Sequence, residues 1–214
     1  AYTLERYEDA LSAVQVALRE EAAPAALRVY DRTAARLHFG VDVAAMLLAA
    51  TAGPTDLAAC DRDLVTSAVS AFGGERTDDQ LAERWWQART GQSDPLPAPH
   101  LQISATPGSQ SAVYRAAVEA ASEAEVQLGT YASRFDMDGA VFFFTALDEG
   151  GDPLEGERLS SVKSAISSAA REAGAYLLGA RAAELAPYFE ALRSELDPSR
   201  VLNPGALHTG EPGD

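Results

Sequence analysis

A β-hairpin at the centre of a sheet is predicted by the stretch Tyr131-Ala132-Ser133-Arg134-Phe135-Asp136-Met137-Asp138-Gly139-Ala140-Val141-Phe142-Phe143-Phe144-Thr145. The Asp-Gly pair within it is a strong hairpin signal, so strands are predicted over residues 126–135 and 140–147. The four consecutive apolar residues 141–144 do not suit a strand that has one solvent-exposed face. The second strand is therefore predicted to be central and covered on both faces.

Helical and strand periods are mixed along the rest of the chain without strict βαβ alternation. Helices are predicted over residues 7–21, 55–72, 77–89, 109–124, 157–173 and 181–196, and strands over 27–30, 41–51, 100–105 and 174–178. A helix is the competing interpretation for residues 41–51, which are rich in Ala and Leu. The mixture predicts an α+β fold, an antiparallel sheet with helices on one face. Two strand–helix–strand halves would make it a ferredoxin-like repeat.

The charge balance restricts the class of partner. The 214 residues include 17 Lys and Arg against 32 Asp and Glu, a net charge of −15. Such a chain repels phosphate backbones and anionic lipid surfaces, which argues against nucleic-acid and membrane binding. No apolar run approaches the ~20 residues of a transmembrane helix.

The single cysteine, Cys60, precludes an intrachain disulfide and favours a reducing compartment, hence a cytoplasmic location. Its position in a predicted helix favours core packing. The Ala-rich composition with Lys163 as the only lysine is typical of a high-GC, bacterial genome. Because the chain begins at Ala1 without a signal-peptide pattern, a fragment or a processed product is expected.

Motifs that carry autonomous chemistry are absent from the sequence. His38, His100 and His208 are far apart and show no metal-ligand spacing, so no metal site is expected. There is no Gly-x-Ser-x-Gly, P-loop or Gly-x-Gly-x-x-Gly motif. The residues alone therefore indicate an acidic α+β domain without a catalytic apparatus of its own.

Four segments resemble one protein family. Leu196-Asp197-Pro198-Ser199-Arg200-Val201-Leu202-Asn203-Pro204-Gly205 is similar to the "LDPxxxLNPG" signature of FAD-linked oxidoreductases of the vanillyl-alcohol oxidase type. The hairpin of residues 131–145 resembles the "SHxYxxGxxLYFT" segment of the alkylglycerone-phosphate-synthase-like branch. Residues 7–14 are similar to the "FedaLeav" helix of that family. Gly73-Gly74 followed by residues 85–89 is similar to its "GG…W…R" segment.

The resemblance implies a domain organisation and a cofactor. Residues 1–205 would be the cap, or substrate-binding, domain and residues 206–214 a C-terminal tail. The FAD-binding domain would lie N-terminal to Ala1, outside this chain, and would bind most of the FAD. The cap would shape the pocket over the flavin for oxidation of a small, anionic organic substrate. The isolated chain is then expected to be inactive, and a homodimer is possible.

The resemblance also suggests site residues, listed by role. Catalytic or orienting roles fall to Tyr131, Arg134 and Tyr176, substrate contacts to Trp85, Arg89 and Ser133, and cofactor binding, near the flavin domain, to Asn203. The competing interpretations are a surface ion pair for Arg134, a helix-end arginine for Arg89 and core packing for the tyrosines. Trp85 and Trp86 are adjacent and should point to different sides of their helix, one into the core.

The sequence departs from the family pattern at its histidines. Arg134 stands where the family hairpin has histidine, and residues 174–180 lack the family's "HHGxG" stretch. The "GHxGDGN" metal-binding stretch of the D-2-hydroxyacid dehydrogenase branch is also absent. These departures keep open an alternative, a non-catalytic interaction or oligomerisation module. A ferredoxin-like sensor of small ligands is a third alternative.

Overall fold

The computed structural model describes residues 1–93, 95–177, 186–199 and 201, in two compact units, Ala1–Leu177 and Leu178–Asp214. The described part of the first unit contains β1 (Tyr2–Leu4), α1 (Tyr7–Arg19), β2 (Ala26–Asp31), α2 (Arg32–Phe39), β3 (Ala45–Ala50), α3 (Thr55–Ala71), β4 (Glu75–Arg76), α4 (Gln80–Arg89), β5 (Leu101–Ala105), α5 (Gln110–Glu123), β6 (Gln127–Ser133), β7 (Ala140–Leu147), α6 (Gly156–Glu172) and β8 (Tyr176–Leu177). In the second unit the described residues include α7 (Ala186–Leu196).

The strands form one sheet in the order β4-β1-β3-β2-β6-β7-β5-β8, and every neighbouring pair is antiparallel. Strands β5 to β8 follow the pattern β-α-β-β-α-β, and strands β1 to β4 follow it with the short helix α2 inserted between β2 and β3. Each half has its first strand between its third and fourth, and the second strands, β2 and β6, pair at the centre. This is the order of two ferredoxin-like units joined edge to edge.

The two halves are offset by about a hundred residues, a periodicity that indicates an internal repeat. Helix α3 begins at Thr55 and its counterpart α6 at Gly156, while β4 begins at Glu75 and β8 at Tyr176. At the centre, Tyr30 of β2 is directly opposite its counterpart Tyr131 of β6. The sequence shows no exact repeat, so the relation between the two halves is seen in the fold.

One face of the sheet, called face A here, carries the larger core. The long helices α1, α3, α5 and α6 cover it and bury apolar side chains from all four, among them Leu11, Val69, Val113 and Ile166. Phe142 and Phe144 of β7 project into the same core and are almost completely buried. Burial of each such ring contributes about 1.5–3 kcal/mol to folding. The predicted α+β class and antiparallel sheet are confirmed.

The opposite face, face B, is covered in part by the short helices α2 and α4. Phe39 of α2 and Trp85 of α4 pack there against Met46, Tyr131 and Phe143 of the sheet. Every residue of β7 is buried, as predicted for a central strand covered on both faces. The two short helices are an addition to the predicted single helical layer.

The structure corrects several local predictions. Residues 45–50 form a strand, so the helical alternative there is wrong. Strands β1 and β4, of three and two residues, and helix α2 were not predicted. Cys60 is exposed rather than in the core, because the buried stripe of α3 runs through Val65, Ala68 and Val69. Residues 206–214 and the boundary at residue 205 lie outside the described residues.

Asp31 joins three elements at the centre of the sheet. One carboxylate oxygen, Oδ1, accepts the backbone N–H of Ala34 at 2.8 Å and so caps α2. The other, Oδ2, accepts the N–H of Thr130 in β6 at 2.9 Å. Burial raises the pKa of this carboxyl to about 7, against the opposing effect of the backbone N–H groups. The side chain thus bridges the two halves of the repeat.

The hairpin turn predicts a steric requirement for glycine. Gly139 has φ of 155°, and a Cβ there would lie 2.2 Å from the carbonyl oxygen of Ala105. We expect Gly139→Ala to lower the free energy of unfolding by about 1–3 kcal/mol, since backbone must move. Gly151→Ala is the matched control, because its φ is also positive but no atom lies within 4 Å. Equal losses in urea titrations of the two variants would contradict the steric explanation.

The raised pKa of Asp31 predicts that the stability of the fold depends on pH. Its pKa is about 7 when folded and near 3.8 when unfolded, so between these values the folded state binds the extra proton. The contribution of this proton to the free energy of unfolding is fully present below about pH 4 and is lost as the pH rises through 7. The free energy of unfolding of the wild type, minus that of Asp31→Asn, should therefore fall from pH 4 to pH 7. Parallel stability curves for the two proteins would show that Asp31 does not titrate in this range.

Candidate functional site

A column of aromatic rings crosses the middle of face B. Tyr30 and Tyr131 are cross-strand partners, and Tyr131 is in turn opposite Phe143. The ring centroids of Tyr30 and Tyr131 are 5.4 Å apart, and those of Tyr131 and Phe143 are 4.6 Å apart with nearly parallel planes. Cross-strand aromatic pairs of this kind stabilise a sheet and hold each ring in one orientation. The column is a rigid platform.

Arg28 lies between two aromatic rings beside this platform. Alternation along β2 places it on the same face as Tyr30, and its guanidinium carbon is 5.0 Å from the Tyr131 ring centroid. The same carbon is 5.1 Å from the ring centroid of Trp85, which α4 brings to face B. Rings on both sides limit the motion of the guanidinium, which also interacts with the phenols of Tyr30 and Tyr131.

His38 reaches the platform from the last turn of α2. Its ring is edge-on to Tyr131 with centroids 5.4 Å apart, and it lies 5.5 Å from the Tyr30 centroid. Only 7% of the residue is exposed, yet neither Nδ1 nor Nε2 has a hydrogen-bond partner. The hydroxyl of Tyr30 is likewise buried; it lies outside regular hydrogen-bond geometry but interacts with the Arg28 guanidinium.

The environment keeps these titratable groups neutral at pH 7, while Arg28 stays charged. Burial, with a further contribution from the Arg28 charge, lowers the pKa of His38 to about 4. Burial raises the pKa of Tyr30 to about 12, although the Arg28 charge opposes this rise. Burial also raises the pKa of Tyr131 against the same charge. The imidazole can thus accept a hydrogen bond, and the phenols can donate one.

Face B concentrates positive charge in a strongly acidic chain. The Arg89 guanidinium carbon is 5.9 Å from the Trp85 ring centroid, and that of Arg134 is 5.9 Å from the Phe143 centroid. Within the described ranges, the ion pairs between arginines and carboxylates involve neither of these residues nor Arg28. Three arginines without acidic partners favour binding of an anion.

The structure brings together most of the residues predicted from the sequence. Trp85 is buried in the face B cluster and Trp86 is 45% exposed, so the predicted division between the two is confirmed. Tyr131 is part of the platform, Arg134 lies against its Phe143 ring, and Arg89 lies against the neighbouring Trp85 ring.

Of the other predicted residues, Ser133 lies near the platform and Tyr176 lies far from it. Ser133 is buried on the same face, where it pairs with Val141. Tyr176 is 67% exposed on the edge strand β8, three strand spacings from Tyr131, or about 14 Å. Asn203 lies outside the described residues.

Sequence reasoning missed Arg28, Tyr30 and His38 as site residues. The alternation of Arg28 and Tyr30 with Leu27 and Val29 was the available signal for two side chains on one face. For α2, the signal was an Asp N-cap at residue 31 with Gly at residue 40, which ends the helix at φ of 70°. Only the tertiary structure shows that His38 is next to Tyr131.

The described residues bear on two other kinds of site, a metal centre and a membrane span. That part of the chain contains no group of three or more His, Cys, Asp or Glu side chains able to hold a metal ion. None of its helices is long and apolar enough to cross a membrane. The arginine–aromatic cluster on face B is therefore the best-supported candidate site.

Solved structures share this fold. A structure of alkyldihydroxyacetonephosphate synthase matches with a TM-score of 0.60 and 14% sequence identity, covering 92% of this chain and 42% of that one. A 4-ethylphenol oxidase from Gulosibacter chungangensis, in an isoeugenol complex, matches with a TM-score of 0.64 and 15% identity, covering 96% and 52%. This chain thus spans about half the length of these relatives. No curated protein matches it in sequence.

The model of one protein family covers most of the chain. The family described as FAD linked oxidases, C-terminal domain, matches residues 2–151. These residues include the two central strands, β2 and β6, and the whole aromatic column. The chain belongs to the FAD-linked oxidase C-terminal domain family.

Proposed function

We propose that this chain is the substrate-binding cap domain of an FAD-dependent oxidoreductase, and that face B binds a small anionic organic substrate. The observation that carries the proposal is Arg28, held between Trp85 and Tyr131 without an acidic partner. A cation that forms no ion pair with the described residues and lies on an aromatic platform is suited to an organic anion, because charge and ring contacts act together.

Each predicted residue has a role in this proposal. Arg134, next to Phe143, helps Arg28 to orient the anionic group, and Arg89 adds positive charge beside Trp85. Tyr131 acts as a hydrogen-bond donor or acid rather than a base, because burial raises its pKa. The buried ring of Trp85 excludes water from the platform.

Two further roles rest on position in the sheet, and a third rests on the family resemblance. Ser133 is proposed to contact substrate at the end of β6. Tyr176 is proposed to act from the exposed edge of the sheet, farther from Arg28. Asn203 is proposed to lie near the flavin domain.

FAD, when bound, supplies the acceptor for a hydride removed from the substrate. The residues of this chain do not fit the role of holding its pyrophosphate, since no glycine-rich phosphate loop occurs in the sequence. We therefore propose that an N-terminal FAD-binding domain holds most of the cofactor and is the partner of this cap. A cytoplasmic location, a bacterial source and a homodimeric assembly complete the proposal.

The non-catalytic module remains the second candidate, supported by Arg134 in place of the family's hairpin histidine. In that case, face B would serve only as a contact surface.

The visible spectrum of the full-length gene product tests the proposal. We expect absorption bands of bound flavin, lost from the protein on denaturation and recovered in the supernatant as FAD. The control is flavin titration of the 214-residue chain alone, which should show no tight binding. A colourless full-length protein, or tight flavin binding by the chain alone, would contradict the proposal that a separate domain binds the FAD and this chain binds the substrate.

A further inference from the structure

Asp31 is a buried carboxylate that the proposed substrate site does not use. The residue is 4% exposed, and no arginine or lysine among the described residues forms an ion pair with it. Its carboxylate oxygens accept the backbone N–H groups of Ala34 at 2.8 Å and of Thr130 at 2.9 Å. These hydrogen bonds offset only part of the cost of burying a charge, so the buried side chain favours its neutral form.

The neighbouring helices of face A do not neutralise an ionised Asp31. The phenols of Tyr7 on α1 and Tyr114 on α5 both interact electrostatically with this carboxylate. Burial raises the pKa of each phenol, so both are neutral at pH 7. The charged residue on this side is Glu8, which acts on the same two phenols and carries a negative charge.

The remaining neighbours of Asp31 also leave its charge uncompensated. Strand β3 places Ala45 opposite it and contains no titratable residue. The arginines of α2, Arg32 and Arg36, are exposed and pair with Asp42 instead. An ionised Asp31 is therefore stabilised chiefly by backbone N–H groups, and contact with water would stabilise it further.

Helix α2 is anchored to the sheet at its last turn by ring packing and a hydrogen bond. The Phe39 ring is edge-on to Tyr30 with centroids 5.1 Å apart, and the Phe39 carbonyl accepts a hydrogen bond from Arg84 at 3.1 Å. His38 is also in this turn, but burial and the Arg28 charge lower its pKa to about 4. It therefore stays neutral at pH 5 and above.

The first turn of α2 has weaker attachments, of which Asp31 is the main one. The buried side chains here are Ala34 and Ala35, which remove little apolar area from water. Beneath the turn lies Gly129 of β6, where an added Cβ would be 3.4 Å from the Ala34 nitrogen. Strand β6 thus contributes no side chain to this contact. A segment with so few apolar contacts belongs to the part of a fold that opens most easily.

We propose that Asp31 is a pH-sensitive switch whose ionisation releases the first turn of α2 from β6, while the last turn stays packed on Tyr30. The neutral carboxyl remains buried and keeps the turn in place. The ionised carboxylate becomes hydrated when the Ala34 N–H moves away from it. Because α2 covers part of face B, release exposes the sheet beneath its first turn, whether or not face B binds a substrate.

The sign of the pH effect follows from the protons bound in each state. Asp31 has a pKa of about 7 when buried and near 3.8 when solvated, as in the released state. Between these values the closed state binds the extra proton, so the population of the released state rises about tenfold per pH unit. Above pH 7 both states are ionised, and the population stays constant.

Hydrogen exchange of backbone amides in the 214-residue chain, followed by NMR from pH 5 to pH 8, tests the switch. We expect the protection factor of the Ala34 amide to fall about tenfold per pH unit up to pH 7 and then to level off. Low concentrations of urea should hardly change it, because local opening exposes little surface. Amides of the central strand β7 are the internal control, since they exchange through global unfolding and should respond strongly to urea.

Variants assign the pH dependence to one carboxylate. In Asp31→Asn the protection factor of Ala34 should be independent of pH, because the amide does not titrate. Asp31→Ser is a second variant with a hydroxyl that caps helices without ionising. Glu8→Gln is the matched control and should keep the slope of the wild type. The slope is compared rather than the level of protection, so a less stable variant remains informative.

A protection factor of Ala34 that does not change with pH in the wild type would overturn the switch, as would an unchanged slope in both Asp31 variants. Equal sensitivity of Ala34 and β7 to urea would also overturn it, because ionisation would then act through global unfolding. These failures are distinct from failure of the proposed function, since none of them affects whether the full-length protein carries flavin.

Discussion

The pairing of β2 with β6 is the constraint on which the rest of the structure depends, because these strands belong to different halves of the repeat. Without it, each half would expose a strand edge and the edge of its own core. Asp31 reinforces the pairing, since its carboxylate accepts N–H groups from α2 and from β6. The same pairing places Tyr30 opposite Tyr131. The site is therefore built at the joint between the halves.

The electrostatics of face B follow from this placement. A buried position beside Arg28 disfavours the charged form of His38, and burial disfavours the charged forms of the tyrosines. The result is one fixed cation surrounded by neutral donors and acceptors on a rigid aromatic platform. That Arg28 has aromatic neighbours and no acidic partner is the feature that favours an external anion.

The success of sequence reasoning varied with the length of each element. The hairpin 127–147 was predictable, because its apolar strands and Asp-Gly turn are strong local signals. Strand β4 was not, since two residues carry no detectable period. Helix α2 could have been recognised from Asp31 and Gly40, although its eight residues give little amphipathic signal. Cys60 shows that the phase of a helix is uncertain when alanine dominates its apolar positions.

The sequence by itself determined the α+β class, the central hairpin, the acidic surface and the resemblance to FAD-linked oxidoreductases. These properties depend on local periodicity, turn residues and composition, all of which can be read without knowing which distant residues are in contact. Only the tertiary structure decided which side chains meet. Arg28, His38, Trp85 and Tyr131 come from four separate segments, and no local pattern relates them. Their proximity results from strand register and from the packing of α2 and α4 on face B, which are long-range properties of the folded chain.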